Sequence, residues 1–224
     1  MVVSGVIFDM DGLMVDTEPL YQVSWQQAAR ELGCEIDDAL YARFIGRPTL
    51  ACEAILIEVF GPSFRLDEFR RRWPGLWREE VGRVGVCAKP GLMEMLEFVR
   101  SKHLATAVAT SSETEYVNLT LDRAGLRHWF DVVVSGDQVL RGKPAPDIYV
   151  EAANRLQVPI TQCVALEDSE AGILAVQNAG MVGVLVPHWP ASAAARGAAS
   201  YVAATLHEAR PILTSLIDER ASTG

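Results

Sequence analysis

Short apolar runs separated by helical segments constrain the fold of this chain more than any other feature of its sequence. The runs lie at positions 2–8, 104–109, 132–134, 163–166 and 182–186, and the first of them is rich in β-branched residues. Helical periodicity or capping signals fill the segments between the later runs. Strands that are apolar on both faces and alternate with helices are typical of a parallel sheet covered by helices on both sides. We therefore predict an α/β fold with an open parallel sheet.

A long segment without strand signal follows the first apolar run. Between positions 16 and 85 the sequence predicts helices at 20–32, 37–44, 49–60 and 66–84, the last interrupted by Pro74 and Gly75. A connection between parallel strands usually needs about 10–20 residues around one helix, and this connection is about 90 residues long. We therefore expect an inserted helical domain at residues 16–85, with residues 1–15 and 86–224 forming the sheet domain.

The charge balance limits the partners that this chain can bind. Its 224 residues include 20 basic and 29 acidic side chains, a formal net charge of −9, so we expect neither a nucleic acid nor a membrane partner. The apolar runs are far shorter than the roughly 20 residues that cross a bilayer, and the N-terminus lacks the pattern of a signal peptide. We expect a monomeric, cytoplasmic protein that captures any anionic ligand locally.

The residues that follow each apolar run are informative, because ligands of an open parallel sheet bind beyond the carboxyl ends of its strands. In chain order these residues are Asp9 and Asp11, then Thr110, Ser111 and Ser112, then Lys143, and finally Glu167 and Asp168. Carboxylates, hydroxyls and one ammonium group are therefore expected to meet in one crevice.

Several carboxylates in one crevice repel one another unless a cation joins them. Ligation by oxygen alone favours Mg²⁺, and Asp9 and Asp168 are the expected side-chain ligands. Lys143 cannot ligate a metal, but its ammonium can hold an anionic oxygen, and Thr110 offers a hydroxyl to the same anion. A site of this composition suits a phosphoryl group.

One of these carboxylates can also act as a nucleophile. Attack by Asp9 on a phosphate ester would give an aspartyl-phosphate, which divides a difficult hydrolysis into two easier steps. Asp11 would protonate the leaving alcohol and then deprotonate the attacking water. Gly12 lets the backbone turn closely around the phosphate, where amide groups can donate to it.

Four motifs, in order along the chain, closely resemble those of the haloacid dehalogenase-like hydrolase superfamily. They are Asp9-Met10-Asp11-Gly12-Leu13-Met14-Val15-Asp16-Thr17-Glu18, Val108-Ala109-Thr110-Ser111-Ser112, Gly142-Lys143-Pro144-Ala145-Pro146-Asp147 and Leu166-Glu167-Asp168-Ser169-Glu170-Ala171-Gly172. The position of the insert resembles the branch that contains β-phosphoglucomutase and many sugar-phosphate and nucleotide phosphatases. The resemblance implies a Rossmann-like core with an inserted, mobile α-helical cap domain. From the bounds of the insert we expect the hinges of this domain near residues 15–17 and 85–89.

The resemblance also implies a role for each motif residue. Asp9 is the expected nucleophile, and Asp11 is the expected general acid and base, with its backbone carbonyl on Mg²⁺. The expected phosphate-binding residues are Gly12, Thr110, Ser111 and Lys143. The expected metal-binding residues are Asp9, Asp11, Asp168 and Glu167, the last in a supporting position.

Differences between this sequence and two groups of the family reduce the number of activities that we expect. Dehalogenases have a non-acidic residue in place of the second aspartate, so Asp11 indicates phosphoryl transfer. Phosphoglucomutases carry a histidine after the first motif and an arginine in a glycine-containing loop of the cap, where this chain has Tyr21 and Thr49. We therefore favour a phosphatase acting on a small phosphorylated metabolite, which is a sugar phosphate, a polyol phosphate or a nucleotide. A phosphosugar mutase and a non-catalytic phosphate-binding protein are the alternatives.

Two residues of the insert have open interpretations. Arg47, close to Thr49, either reaches an anionic substrate or is a solvated loop residue. Tyr21 either lines the entrance to the site or packs into the core. Both are retained as candidate residues for substrate specificity.

Overall fold

The computed structural model describes residues 2–45, 47 and 49–218. The strands in this part of the chain are β1 (Gly5–Phe8), β2 (Val15–Asp16), β3 (Cys87–Ala88), β4 (Ala105–Ala109), β5 (Val132–Val134), β6 (Cys163–Glu167), β7 (Val182–Leu185) and β8 (Tyr201–Val202). Six of them form a parallel sheet in the order β5-β4-β1-β6-β7-β8, and β2 and β3 form a separate antiparallel pair. The predicted α/β fold with a parallel, Rossmann-like sheet is confirmed.

The chain divides into two compact units. The larger unit comprises Met1–Asp16 and Val86–Gly224 and contains the parallel sheet, and the smaller unit comprises Thr17–Gly85. The helices of the smaller unit are α1 (Glu18–Glu31), α2 (Asp38–Tyr41), α3 (Thr49–Phe60) and α4 (Leu66–Val84). Those of the larger unit are α5 (Leu92–Ser101), α6 (Thr114–Arg123), α7 (Asp147–Leu156), α8 (Glu170–Asn178), α9 (Ala193–Ala198) and α10 (Leu206–Asp218). No described helix is long and apolar enough to cross a membrane.

The central strands of the sheet are buried on both faces, as their apolar sequences predict. Every residue of β1 and β6 is buried. Helices α7 and α8 supply Tyr149 and Ile173 to the same core as Ile7 of β1. Because helices cover the faces, the ends of the strands are where the sheet can offer polar groups to a ligand.

The smaller unit has an aromatic core of its own. Helix α1 packs against α4, and the ring of Trp25 lies 5.2 Å from that of Phe69 and 5.4 Å from that of Phe44. Helix α4 is continuous through Pro74, so the predicted interruption there is wrong. A proline removes one backbone hydrogen bond, and burial of Phe69 and Trp77 on the same helix compensates for that loss.

Two further differences from the predicted elements have local causes. Helix α2 ends at Tyr41 rather than at Phe44, because the next turns use bonds between residues three apart, such as the one from Phe44 N–H to the Tyr41 carbonyl. The sequence did not predict β2, β3 or β8. Each has two residues, which is too short to show a period.

Candidate active site

Three neighbouring strands bring the predicted site residues to one edge of the sheet. Phe8 of β1 lies level with Val108 of β4 and with Leu166 of β6. The next residue, Asp9, donates its backbone N–H to the Leu166 carbonyl at 3.0 Å. Asp9 therefore stands beside Glu167, at the end of β6, in the arrangement that the parallel topology predicts.

Lys143 connects these two acids. Its ammonium donates to Asp9 Oδ1 at 2.5 Å, to Glu167 Oε1 at 2.6 Å and to the Ala109 carbonyl at 3.1 Å. The Lys143 side chain is only 5% exposed. The peptide bond from Lys143 to Pro144 is cis. Three acceptors thus fix a buried ammonium at the point where strands β1, β4 and β6 end.

Glu167 is fully buried, and protein donors satisfy both of its oxygens. Oε1 accepts from Lys143 and from the Tyr149 hydroxyl at 3.0 Å. Oε2 accepts from the backbone N–H and the hydroxyl of Ser169, at 2.7 and 3.0 Å. A side chain at Gly172 would collide with the carboxylate, so this position requires glycine. The contacts of Glu167 are those of a residue that holds Lys143 in place.

Asp168 has a contrasting environment. Within the part of the chain that the structure describes, no hydrogen bond or ion pair reaches its carboxylate, although one of its oxygens lies within 4.8 Å of oxygens of Asp9 and Glu167. Gly12 has a φ of +84°, and a Cβ there would collide with Asp168 Oδ2. The first motif thus turns tightly against the Asp168 carboxylate.

Burial and mutual repulsion raise the pKa values of two of these acids. Removal from water raises the pKa of Asp9 from 3.8 to about 7, with Lys143 opposing the rise and Glu167 adding to it. Burial, together with the charges of Asp9 and Glu167, raises the pKa of Asp168 from 3.8 to about 9. Burial alone would lower the pKa of Lys143, but its two acidic partners raise it well above its usual value. The protein therefore supplies one fixed positive charge among three acids.

The donor set fits a hard divalent cation. No described residue donates a hydrogen bond to the Asp168 carboxylate, and Asp9, Glu167 and Asp168 together have only Lys143 as a basic partner among the described residues. Burial first, and the neighbouring acids second, raise the pKa values of Asp9 and Asp168, so both carboxylates lack full compensation for the loss of water. All the available ligand atoms are oxygens, which Mg²⁺ prefers. A cation between Asp9 and Asp168 would lower both pKa values and keep both groups ionised.

Asp11 is held by hydroxyl groups. Its Oδ1 accepts from the Tyr116 hydroxyl at 2.6 Å, and its Oδ2 accepts from the Ser112 hydroxyl at 2.8 Å. The Thr110 hydroxyl lies 3.5 Å from the same Oδ2. Asp11 therefore faces the residues that follow β4, next to the predicted phosphate-binding hydroxyl.

Thr110 and Ser111 differ in environment, although both were predicted to bind phosphate. Thr110 is buried, its N–H donates to the Val134 carbonyl, and its hydroxyl accepts from the Ser112 N–H at 3.1 Å. Ser111 is exposed, and no hydrogen bond of its side chain occurs among the described residues. Its role in phosphate binding stays a prediction.

Sequence reasoning missed two tyrosines that contact the acids, namely Tyr116 and Tyr149. Ser112 was expected in the crevice among the hydroxyls after β4, but it was given no role, and its hydroxyl donates to Asp11. Tyr116 and Tyr149 lie in the first turns of α6 and α7. Their direction depends on how those helices pack, which no local pattern specifies.

The smaller unit contains a cavity of about 220 Å³. It is lined by Glu18, Tyr21, Trp25, Tyr41, Phe44, Arg47, Thr49, Cys52 and Trp73. The Tyr21 ring also packs 5.7 Å from the ring of Trp73, so this residue both lines the cavity and joins the aromatic core. Arg47 is exposed and forms no salt bridge within the described residues. Both candidate specificity residues thus face one aromatic-walled cavity.

Comparisons with known proteins agree with this geometry. The sequence matches the model of the haloacid dehalogenase-like hydrolase family over residues 6–186. A phosphorylated carbohydrates phosphatase from Thermotoga maritima is 39% identical over 180 residues, which cover 79% of this chain and 82% of that protein. The fructose-1-phosphate phosphatase YqaB of Escherichia coli is 34% identical over 183 residues, which cover 81% of this chain and 95% of YqaB.

A solved structure is also similar to this chain in fold and sequence. A crystal structure of a Thermotoga maritima protein, provisionally described as a beta-phosphoglucomutase, has a TM-score of 0.80 and 34% identity to this chain. The match covers 95% of this chain and 99% of that one. Since the family match includes every strand-end motif and the two curated relatives are phosphatases, the resemblance is confirmed: the chain belongs to the haloacid dehalogenase-like hydrolase family, and it is a phosphatase.

Proposed function

We propose that this chain is a Mg²⁺-dependent phosphatase that hydrolyses a small phosphorylated metabolite through a phosphoryl group carried on Asp9. The observation that carries the proposal is the contact of Asp9 with Lys143, beside an Asp168 carboxylate that accepts no hydrogen bond from the described residues. This arrangement combines a nucleophile, a fixed cation and oxygen ligands for a second cation.

In the first step, a carboxylate oxygen of Asp9 attacks phosphorus, and the bond from phosphorus to the leaving oxygen breaks. Asp11 gives its proton to that oxygen, so the leaving group departs as an alcohol. Lys143 offsets the charge on Asp9 and on the phosphoryl oxygens, and its three hydrogen bonds hold it where that charge develops. The Thr110 hydroxyl binds a phosphoryl oxygen.

In the second step, water attacks the phosphorus of the aspartyl-phosphate. Asp11, now ionised, takes a proton from that water, and the bond from phosphorus to Asp9 breaks. Inorganic phosphate leaves, and the Asp9 carboxylate and the Asp11 proton are restored. One residue thus serves as acid and then as base, which a two-step hydrolysis requires.

Asp9, Asp168 and the Asp11 carbonyl are the residues that would hold Mg²⁺. When bound, the ion supplies neutralisation of the acids and of the phosphoryl oxygens. Glu167 contributes through Lys143, because four protein donors occupy its oxygens. Direct ligation by Glu167 stays a prediction.

We infer that the substrate is a sugar phosphate. Relatives over about four fifths of this chain are named for phosphorylated carbohydrates and for fructose 1-phosphate. Aromatic side chains beside hydroxyl and charged groups suit the alternating apolar and hydroxylated faces of a sugar, and the cavity of the smaller unit has this composition. We assign this unit, including Tyr21 and Arg47, the role of a cap that selects the substrate. The monomeric state and the cytoplasmic location stay predictions.

A phosphosugar mutase is the second candidate, and the solved relative described as a beta-phosphoglucomutase is what favours it. A mutase would return the phosphoryl group to the sugar, whereas a phosphatase passes it to water.

The test is a panel of sugar, polyol and nucleoside phosphates assayed with Mg²⁺ and scored for both phosphate and isomerised product. We expect phosphate release by the wild type, its loss in Asp9→Asn, and full activity in the exposed control Asp122→Asn. Interconversion of glucose 1- and 6-phosphate without phosphate release would instead establish the mutase. Undiminished turnover by Asp9→Asn would remove Asp9 as the nucleophile.

A further inference from the structure

We propose that Tyr116 is a positioning residue for Asp11, which holds one carboxylate oxygen so that the other faces the leaving group. This inference rests on the proposed function. It concerns the proton of the first step, and the family match and the motifs give no role to Tyr116.

The contacts of Asp11 distinguish its two oxygens. The Tyr116 hydroxyl binds Oδ1 at 2.6 Å. Oδ2 lies on the side of the Ser112 hydroxyl, at 2.8 Å, and of the Thr110 hydroxyl, at 3.5 Å. Thr110 is the proposed ligand of a phosphoryl oxygen, so Oδ2 is the oxygen that faces the phosphoryl group and the bond that breaks.

The backbone that carries Tyr116 is fixed. Tyr116 lies in the first turn of α6, and the next residue, Val117, is buried. At the start of this helix, Thr114 donates from its N–H and from its hydroxyl to Asp137 Oδ1, at 3.0 and 2.9 Å. Thr114 also shares a hydrogen bond of 2.7 Å with Ser135, which follows β5. Tyr116 therefore approaches Asp11 from a rigid support, as precise proton transfer requires.

In both steps the proton moves to or from Oδ2 of Asp11. In phosphoryl transfer to Asp9, Oδ2 of Asp11 gives its proton to the leaving oxygen while the Tyr116 hydroxyl keeps its own proton and holds Oδ1. In hydrolysis, Oδ2 receives a proton from the attacking water. Tyr116 neither gains nor loses a proton, and its effect is confined to the direction in which Oδ2 points.

The experiment compares two leaving groups in Tyr116→Phe, which removes one hydroxyl and keeps the ring. A sugar phosphate has a poor leaving group that needs the proton of Asp11, whereas p-nitrophenyl phosphate has a good one that does not. The readout is kcat/KM, because it reports phosphoryl transfer to Asp9 and not the later hydrolysis. We expect kcat/KM to fall about tenfold or more for the sugar phosphate and less than about threefold for p-nitrophenyl phosphate.

Two further variants keep the result interpretable. Tyr201→Phe, at an exposed tyrosine of β8, is the matched control, and we expect it to leave both values unchanged. In Asp11→Asn the proton donor is absent, so the additional change Tyr116→Phe is expected to have almost no effect on the sugar phosphate. Thermal unfolding of each variant checks that it is folded.

The outcomes separate this inference from the proposed function. An equal loss with both substrates, or no loss with either, overturns the role of Tyr116 while hydrolysis by the wild type still stands. An undiminished effect of Tyr116→Phe in the Asp11→Asn background overturns it as well. Absence of turnover by the wild type with every substrate would overturn the proposed function itself.

Discussion

Glu167 and Asp168 are neighbours in the chain, yet the protein treats the two acids in opposite ways. Glu167 receives four hydrogen bonds, one of them from the Lys143 ammonium, whereas no described residue donates to the Asp168 carboxylate. Burial of a charge is costly unless a partner offsets the loss of water. The protein itself satisfies the first acid, whereas in the proposed function a cation from solution would satisfy the second.

The same comparison explains how the proposed site would bind an anion although the chain carries a net charge of −9. On one side, Lys143 is fixed between Asp9 and Glu167. On the other side, Mg²⁺ on Asp9 and Asp168 would add two positive charges next to the ammonium. With both cations present, their three positive charges balance the three acids Asp9, Glu167 and Asp168, so the cluster no longer repels a phosphoryl group. The contribution of each cation can be tested by removing it alone.

Removal of Lys143 should have the largest effect. Lys143→Met leaves the buried Asp9 and Glu167 without their shared cation, so we expect a loss of about 3 kcal/mol in the free energy of unfolding. We expect kcat to fall about a thousandfold, since the phosphoryl charge also loses a partner. Urea unfolding and phosphate release measure the two effects. The exposed Lys102→Met is the control, and a Lys143→Met variant as stable as this control would contradict the account.

The effect of burying Asp168 and Asp9 should be measurable as a pH dependence of the free energy of unfolding in the absence of metal. The pKa values of Asp9 and Asp168 are about 7 and 9 in the folded chain, above the value of 3.8 without burial, so the folded chain holds more protons. The free energy of unfolding should therefore fall as pH rises, over pH 4–7 for Asp9 and pH 4–9 for Asp168. The slope is at most about 1.4 kcal/mol per pH unit for each group.

The substitution Asp168→Asn distinguishes the contribution of Asp168 to this pH dependence from that of Asp9. It should flatten the stability curve most between pH 7 and 9, where Asp168 has the higher pKa of the two acids, and it should weaken Mg²⁺ binding. Urea unfolding in the presence of a chelator at pH 5, 7 and 9 gives the curve, with Asp122→Asn as the control. Stability of the metal-free wild type that stays level or rises up to pH 9 would show that burial and the neighbouring acids do not raise the two pKa values as described.

The smallest effect should come from a single donor to Glu167. Tyr149→Phe removes one of its four hydrogen bonds and keeps the buried ring, so we expect a loss of about 1 kcal/mol in the free energy of unfolding and a change in kcat within about threefold. Both are measured against Tyr201→Phe. A loss as large as that of Lys143→Met would mean that the lysine is not the main partner of Glu167.

The sequence was sufficient to predict what depends on local pattern. Apolar runs and the polar residues after them predicted the sheet and the edge where Asp9, Thr110 and Glu167 lie. The sequence was insufficient where the packing of distant elements determines the structure. Helix α4 continues through Pro74 because its buried face stabilises it, and Tyr116 contacts Asp11 because of the way α6 is anchored. The difference between Glu167 and Asp168 also depends on donors from distant parts of the chain.

The central claim is that Asp9 carries the phosphoryl group between the two steps. Acid quenching during turnover of a sugar phosphate, followed by borohydride reduction and peptide mass spectrometry, tests this claim most directly. An aspartyl-phosphate is reduced to homoserine, and the account predicts homoserine at position 9, with none in Asp9→Asn. Phosphate release by the wild type without any such product, or with the product at another residue, would contradict it.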